Sequence, residues 1–379
     1  MIAIAEHRQQ LTKGEDTMLD RRQLLRGAAA GAVGAVFATS ARAQNPSPPD
    51  PPGSIPPPRD WNEVIVPYPD PAFEIFDKRF EKYSAGTAPL LRVWTGGRWT
   101  EGPVYFADQH VVIFSDIPND RLLRYDEVSG KTRVFRQPSG FSNGNTRDRQ
   151  GRLITCEHGN RRVTRTEYDG SITVLADHFE GKPLNSPNGV IVKSDNTIWF
   201  TDPSYGIMGS NEGHRQQEEL PHNVYMIDPR SGTMVVAAGD FEQPNGLCFS
   251  PDEKKLYITD TGSPKTWAIR VFDVSEDNKL TNSRVFHDFK GKFLSDDIRC
   301  DEDGNIWSAG GWGEPTYTGV SVFAPDGTPW GRIVLPETAG NLCFGGYHHE
   351  HSYLYICAGR SLYQIPVHAR AAPLSVIAG

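Results

Sequence analysis

The chain has 379 residues, with 37% hydrophobic, 10% aromatic and 23% charged side chains, and it contains 37 Gly and 29 Pro. This make-up belongs to a folded protein with a large core, and the Gly and Pro richness among many short strand-like runs favours one large β architecture. A net charge of −8 with no basic stripe in the body excludes a nucleic-acid binder, which needs cations against phosphates.

At the N-terminus, Asp20-Arg21-Arg22-Gln23-Leu24-Leu25-Arg26 precedes a weakly apolar Ala/Gly-rich run over residues 27–39, and Ala41-Arg42-Ala43 fits small-residue cleavage before Gln44. Residues 1–43 are therefore expected to be a twin-arginine export signal, with Met18 as an alternative start, and the mature protein periplasmic or secreted. A short membrane anchor is the competing reading. The apolar run is well short of the roughly 20 residues that span a bilayer, so no stable membrane insertion is expected after cleavage. Residues 44–89 follow as a Pro-rich linker and N-terminal extension. Eight prolines among the 15 residues 44–58 predict an extended, solvated linker. Residues 59–89 either wrap the domain or form a short helix near residues 73–83.

From there a repeat organises the chain. Its six copies begin Glu101-Gly102-Pro103-Val104, Asn143-Gly144-Asn145-Thr146, Asn188-Gly189-Val190-Ile191, Asn245-Gly246-Leu247-Cys248, Asp296-Asp297-Ile298-Arg299 and Asn341-Leu342-Cys343-Phe344, with starts 42 to 57 residues apart. Each is followed by a polar turn and a second β-rich run, at 111–115, 152–156, 197–201, 255–259, 305–308 and 353–357. Most copies add a third such run. This is the period of a four-stranded blade, and the fold expected for residues 90–379 is an all-β, six-bladed β-propeller. The chain ends after the third strand of the sixth blade, so residues 90–95 are expected to supply its fourth and close the ring.

In a propeller the first strand of each blade lines the central channel. One oxygen-bearing side chain per blade, from Glu101, Asn143, Asn188, Asn245, Asp296 and Asn341, then points at one opening. An isolated Asn-Gly is usually a hairpin turn, but six copies in register argue for a ring. Amide and carboxylate oxygens without His or Cys suit one divalent cation of the hard kind, Ca²⁺ or Mg²⁺/Mn²⁺, more than Zn²⁺. The five cysteines, at 156, 248, 300, 343 and 357, match no zinc motif. Buried free thiols are expected, and Cys343 with Cys357 is the one pair placed on neighbouring strands.

Several segments together resemble the senescence marker protein/gluconolactonase (regucalcin-like) family. They are Trp99-Thr100-Glu101-Gly102-Pro103-Val104, Cys156-Glu157-His158-Gly159-Asn160-Arg161-Arg162-Val163, Ser186-Pro187-Asn188-Gly189-Val190, Phe200-Thr201-Asp202-Pro203 and Pro244-Asn245-Gly246-Leu247. The resemblance covers roughly residues 90–368. It implies that Glu101, Asn245 and Asp296 hold the metal, that Asn188 contacts it or the substrate, and that Asp296 is the general base. The family's Asp is commonly followed by Gly, whereas Asp297 follows here, so either aspartate could face the channel; register with the other blades favours Asp296. The implied activity is metal-assisted hydrolysis of a sugar-acid lactone, with Asn143, Asn188 and Asn341 holding substrate hydroxyls. Rival readings are another esterase or an organophosphate hydrolase on the same site, and a calcium-bearing propeller that binds a sugar or protein without catalysis.

Other groups are placed by the repeat. Glu157-His158 ends a second strand on the site face, which makes His158 a candidate proton-transfer or supporting group. Asp116, Asp202 and Asp260 end second strands, where turn or cap roles compete with support of the site. The long loop 203–222 is a candidate lid. Tyr205 within it, with Trp312, Glu314 and Tyr317 of blade five, forms substrate-selecting walls or merely caps the propeller. His348-His349-Glu350-His351 resembles a metal cluster but falls on a hairpin at the opposite end.

Overall fold

Burial along the strands falls off from the channel outward. The innermost strands Thr100–Phe106 and Ala339–Gly345 are buried at every residue, whereas the outermost strand of the first blade, Lys131–Arg136, carries Lys131, Arg133, Val134 and Phe135 exposed. Such a gradient is what radial sheets around a common axis require, because only the rim meets solvent. The structure, a computed structural model, describes residues 49, 52–55, 58–62, 65–346 and 352–372. The expected export signal and His348-His349-Glu350-His351 lie outside the described residues.

Among the described residues the strands form six antiparallel blades. Blade one is Thr100–Phe106, Val111–Asp116, Arg121–Asp126 and Lys131–Arg136, and blade two runs from Ser142–Arg147 to Ile172–Ala176. Blade three runs from Val190–Val192 to Thr233–Ala238, blade four from Pro244–Phe249 to Leu280–Asp288, and blade five from Phe293–Cys300 to Pro329–Val334. Blade six comprises Ala339–Gly345, Ser352–Ala358 and Ser361–Val367, and its fourth strand is Leu91–Thr95, paired antiparallel with Ser361–Val367. The N-terminal strand therefore closes the last blade, as the repeat count requires.

The core lies between blades, where neighbouring sheets pack face to face. Ile154, Cys156 and Val163 of blade two meet Val190, Ile198, Phe200 and Tyr225 of blade three. Trp307 of blade five stands edge-on to Phe344 of blade six, ring centroids 5.4 Å apart. The segment before Leu91 is both strand and helix. Phe73–Ile75 adds a fifth strand to blade five, and a 3₁₀ helix, Lys78–Tyr83, follows with Asp77 capping it. Phe80 and Tyr83 bury against Trp307, so this extension is part of the core. The five cysteines are all buried and free; Cys343 lies opposite Tyr355 and Cys357 opposite Asn341, which keeps these two thiols unpaired.

Candidate active site

The innermost strands are irregular where the oxygen-bearing residues sit. Pairing slips between Ser142 and Asn145, between Pro244 and Leu247 and between Ser295 and Ile298, which leaves Asn143, Asn245 and Asp296 inside bulges. In blade one the slip follows Glu101 directly. A bulge frees residues from the ladder and re-aims their side chains. Glu101, Asn143, Asn245 and Asp296, with Asn188 just ahead of Val190–Val192, line a single cavity of about 290 Å³ at one mouth of the channel. The glycines after these residues allow the crowding. A Cβ on Gly102 would collide with the Asn143 carbonyl oxygen, and one on Gly144 with that of Asn188. Here Asn-Gly is not a hairpin turn but a contact between blades, with the Gly144 N–H donating to the Asn188 carbonyl at 3.0 Å.

The carboxylates are crowded and buried. Glu101 Oε2 accepts from the Gly102 N–H and from Asn341 Nδ2, both at 2.9 Å. Asp296 Oδ1 accepts from Asn245 Nδ2 at 2.6 Å, and Trp312 lines the cavity with it. Burial, followed by repulsion from Asp296 and Asp297, pushes the Glu101 carboxyl well above the usual range; burial, Asp297 and Glu212 do the same to Asp296. The next residue points elsewhere. Asp297 does not line the cavity; its Oδ1 accepts from Arg299 Nη1 at 2.6 Å and its Oδ2 from Asn341 Nδ2 at 2.5 Å.

Of the remaining residues singled out in the sequence, Tyr205 and Trp312 line the cavity, the Tyr205 hydroxyl bonded to Thr261 Oγ1 at 2.7 Å. Asn341 does not line it, because in blade six the slip falls earlier, between Ala339 and Asn341, and returns Asn341 to the ladder behind Glu101. His158 is fully buried behind Asn143, its Nε2 3.3 Å from Asn143 Nδ2, and burial pushes its pKa down to about 4. It is neutral near pH 7 and has no face on the cavity. Asp202 and Asp260 secure loops: Asp202 Oδ2 accepts from the Asn185 N–H at 2.8 Å, and Asp260 from the N–H groups of Glu242 and Gln243. Asp116 likewise accepts from the Arg98 N–H. Tyr317 stacks on Phe293 in the core, away from the cavity.

Sequence reasoning missed Glu212, Thr261 and Trp267 as lining residues, and quoted Trp99 only as part of a motif. Trp99 and Trp312 stand with ring centroids 5.4 Å apart at the rim. Glu212 comes from the long loop, in which nothing periodic distinguishes it from Glu218 and Glu219.

The donor set suits a hard cation. Asn143 Oδ1 is buried with no partner, and neither Glu101 Oε1, Asn245 Oδ1 nor the Asn188 side chain is hydrogen-bonded to any described residue. Among the described residues no three His, Cys, Asp or Glu side chains group to hold an ion, so the fit depends on amide oxygens beside the carboxylates.

The fold and this pocket define a six-bladed propeller with one acidic, amide-rich cavity at a channel mouth. The family model for the SMP-30/gluconolactonase/LRE-like region matches residues 99–360, and the chain belongs to that family. A gluconolactonase of Zymomonas mobilis is 27% identical over 296 residues, spanning 71% of this chain and 80% of that protein. The structure of a gluconolactonase from Xanthomonas campestris superposes with a TM-score of 0.72 at 34% identity, covering 80% of this chain and 98% of that one. A diisopropyl-fluorophosphatase of Loligo vulgaris is 25% identical over 264 residues, 64% of this chain and 81% of that protein.

Proposed function

We propose that the chain is a lactonase that opens a sugar-acid lactone with water. The convergence of Glu101, Asp296 and the side chains of Asn143, Asn188 and Asn245 on one cavity carries this reading, and the gluconolactonase relatives support it. Glu101, Asn245 and Asp296 would hold a divalent cation, Ca²⁺ foremost, which when bound would supply electrophilic polarisation of the lactone carbonyl. Asp296 takes the proton from the attacking water, and Asn245, which already donates to its Oδ1, keeps that carboxylate aimed into the cavity. Asn143 and Asn188 hold ring hydroxyls, since an amide both donates and accepts. Trp99, Trp267, Trp312 and the Tyr205 ring cover the sugar faces and keep bulk water from the reacting centre.

The Loligo vulgaris relative favours one second reading, attack on a phosphorus ester at the same carboxylates. The Arg21-Arg22 signal supports action in the periplasm or outside the cell. The test is a pH-stat assay of gluconolactone and fluorophosphate hydrolysis, with and without chelator. Chelation is expected to abolish lactone turnover, and Asp296→Ala to cost at least about 10²-fold in rate with the fold retained. Lactone turnover untouched by both treatments rejects the mechanism, and a loss with Asp297→Ala but not Asp296→Ala reverses the roles of the two aspartates.

A further inference from the structure

We propose that Glu212, carried over the cavity by the loop between the second and third strands of blade three, is the acid that protonates the departing ring oxygen; the inference rests on the lactonase reading.

Position comes first. The loop leaves Ile198–Asp202, forms a short helix, Tyr205–Met208, and returns at Asn223–Asp228. Its backbone is fastened to itself, with the His214 N–H donating to the Gly206 carbonyl and the Gln216 N–H to that of Ile207, each at 3.0 Å. Gly213 lies so close to the Gly206 carbonyl that a Cβ there would collide with it, and Gly206 abuts the His158 side chain in the same way. Arg98 Nη2 donates to Asn211 Oδ1 at 3.3 Å, and Arg161 Nη1 to Gln216 Oε1 at 2.8 Å. Glu212 is thus held over the cavity, which it lines together with Glu101 and Asp296.

The three acids differ in their commitments. Glu101 is bonded by Asn341 and the Gly102 N–H, and Asp296 by Asn245. The Glu212 carboxyl receives no hydrogen bond and no ion pair from any described residue. Among the described residues no Lys or Arg lines the cavity. The titratable groups facing Glu212 are Glu101 from blade one, Asp296 from blade five and Tyr205 from its own loop, with neutral His158 of blade two beneath. None of these is a cation, so the cavity wall offers the Glu212 carboxyl no counter-charge. A carboxyl held over the reacting centre, with no hydrogen-bond donor and no counter-charge committed to it, is placed to hand a proton to the departing oxygen.

The step balances. Water forms the new C–O bond at the lactone carbonyl and gives its proton to Asp296. On collapse the ring C–O bond breaks, its electron pair goes to the ring oxygen, and that oxygen takes the Glu212 proton. The products are a hydroxyl and a carboxylic acid, and solvent returns the Asp296 proton to Glu212.

An acid of this kind matters for a poor leaving group and not for a good one. Wild type and Glu212→Gln are compared on gluconolactone, which expels an alkoxide, and dihydrocoumarin, which expels a phenolate. The expected result is a fall in kcat of at least about 10²-fold on gluconolactone, with little change in KM and with dihydrocoumarin turnover unchanged. Equal losses on both substrates, or none on either, overturn the inference alone. Calorimetric titration of the chelator-treated proteins with Ca²⁺ is expected to give the same affinity for both. Loss of binding in Glu212→Gln overturns the assignment by making Glu212 a ligand. A wild-type protein that opens neither lactone overturns the lactonase reading itself.

Discussion

Asn341 Nδ2 donates to Glu101 Oε2 at 2.9 Å from behind the cavity wall, leaving Glu101 Oε1 for whatever occupies the cavity. Asn341 is fixed in turn: the same nitrogen donates to Asp297 Oδ2 at 2.5 Å, and Arg299 Nη2 donates to its Oδ1 at 3.1 Å. Partners that orient a ligand typically change metal affinity by about 10–100-fold when removed. Asn341→Leu is expected to weaken Ca²⁺ binding by that factor in calorimetry, although Asn341 does not touch the cavity. Unaltered affinity refutes the arrangement.

Asp202 is completely buried, and its Oδ1 has no partner. Burial pushes its pKa up to about 7. The folded protein therefore binds this proton more tightly than the unfolded chain. The stability linked to it is full below about pH 4 and is lost as pH rises toward about 7. Asp202→Asn removes the titration, so its thermal midpoint should decline less than that of wild type across this window. Parallel pH profiles count against the assignment.

Gly144→Ala places a methyl group against the Asn188 carbonyl, a backbone atom that cannot swing aside. Overpacking of this kind costs about 1–3 kcal/mol. Urea unfolding should show that loss, and lactone turnover should fall as well because Asn188 is displaced. Wild-type values for both would mean that the blades do not touch there.

Asp70 and Arg59 form a buried ion pair at 2.6 Å, with side chains 1% and 4% exposed. Asp70 also accepts from the Ala72 and Leu90 N–H groups, both at 2.8 Å. Asp70→Ala leaves the Arg59 guanidinium buried without its counter-charge, which costs about 3–5 kcal/mol. Denaturant titration measures this, and a loss below about 1 kcal/mol would show that the extension is only loosely attached.

The ring of Glu101, Asn143, Asn188, Asn245 and Asp296 was legible because a propeller repeats its register, so one oxygen-bearing residue recurring at the start of each copy maps onto one opening. Asn341 shows where register stops being enough. It occupies the same place in its repeat, but a bulge one residue earlier turns it from the cavity to the back of Glu101, and the position of a bulge is a property of strand pairing that the order of residues does not display. The ambiguity between Asp296 and Asp297 has the same origin: both lie in one bulge and point opposite ways, the second toward an arginine two residues on. Glu212 was illegible for a different reason, since an aperiodic loop carries no face and only its folded path selects one acid over Glu218 and Glu219. The second-strand aspartates were read as caps or supports, and the cap geometry prevails because each ends a strand beside the bare N–H groups of the preceding loop.

The pairing of Leu91–Thr95 with Ser361–Val367 also orders events during translation. The first of these strands leaves the ribosome early and must wait, with both hydrogen-bonding edges bare, for a partner synthesised some 270 residues later. Blades one to five can assemble as they emerge, but the seam is sewn only at the end. A message cut short before the last blade would yield a curled ribbon with two sticky margins.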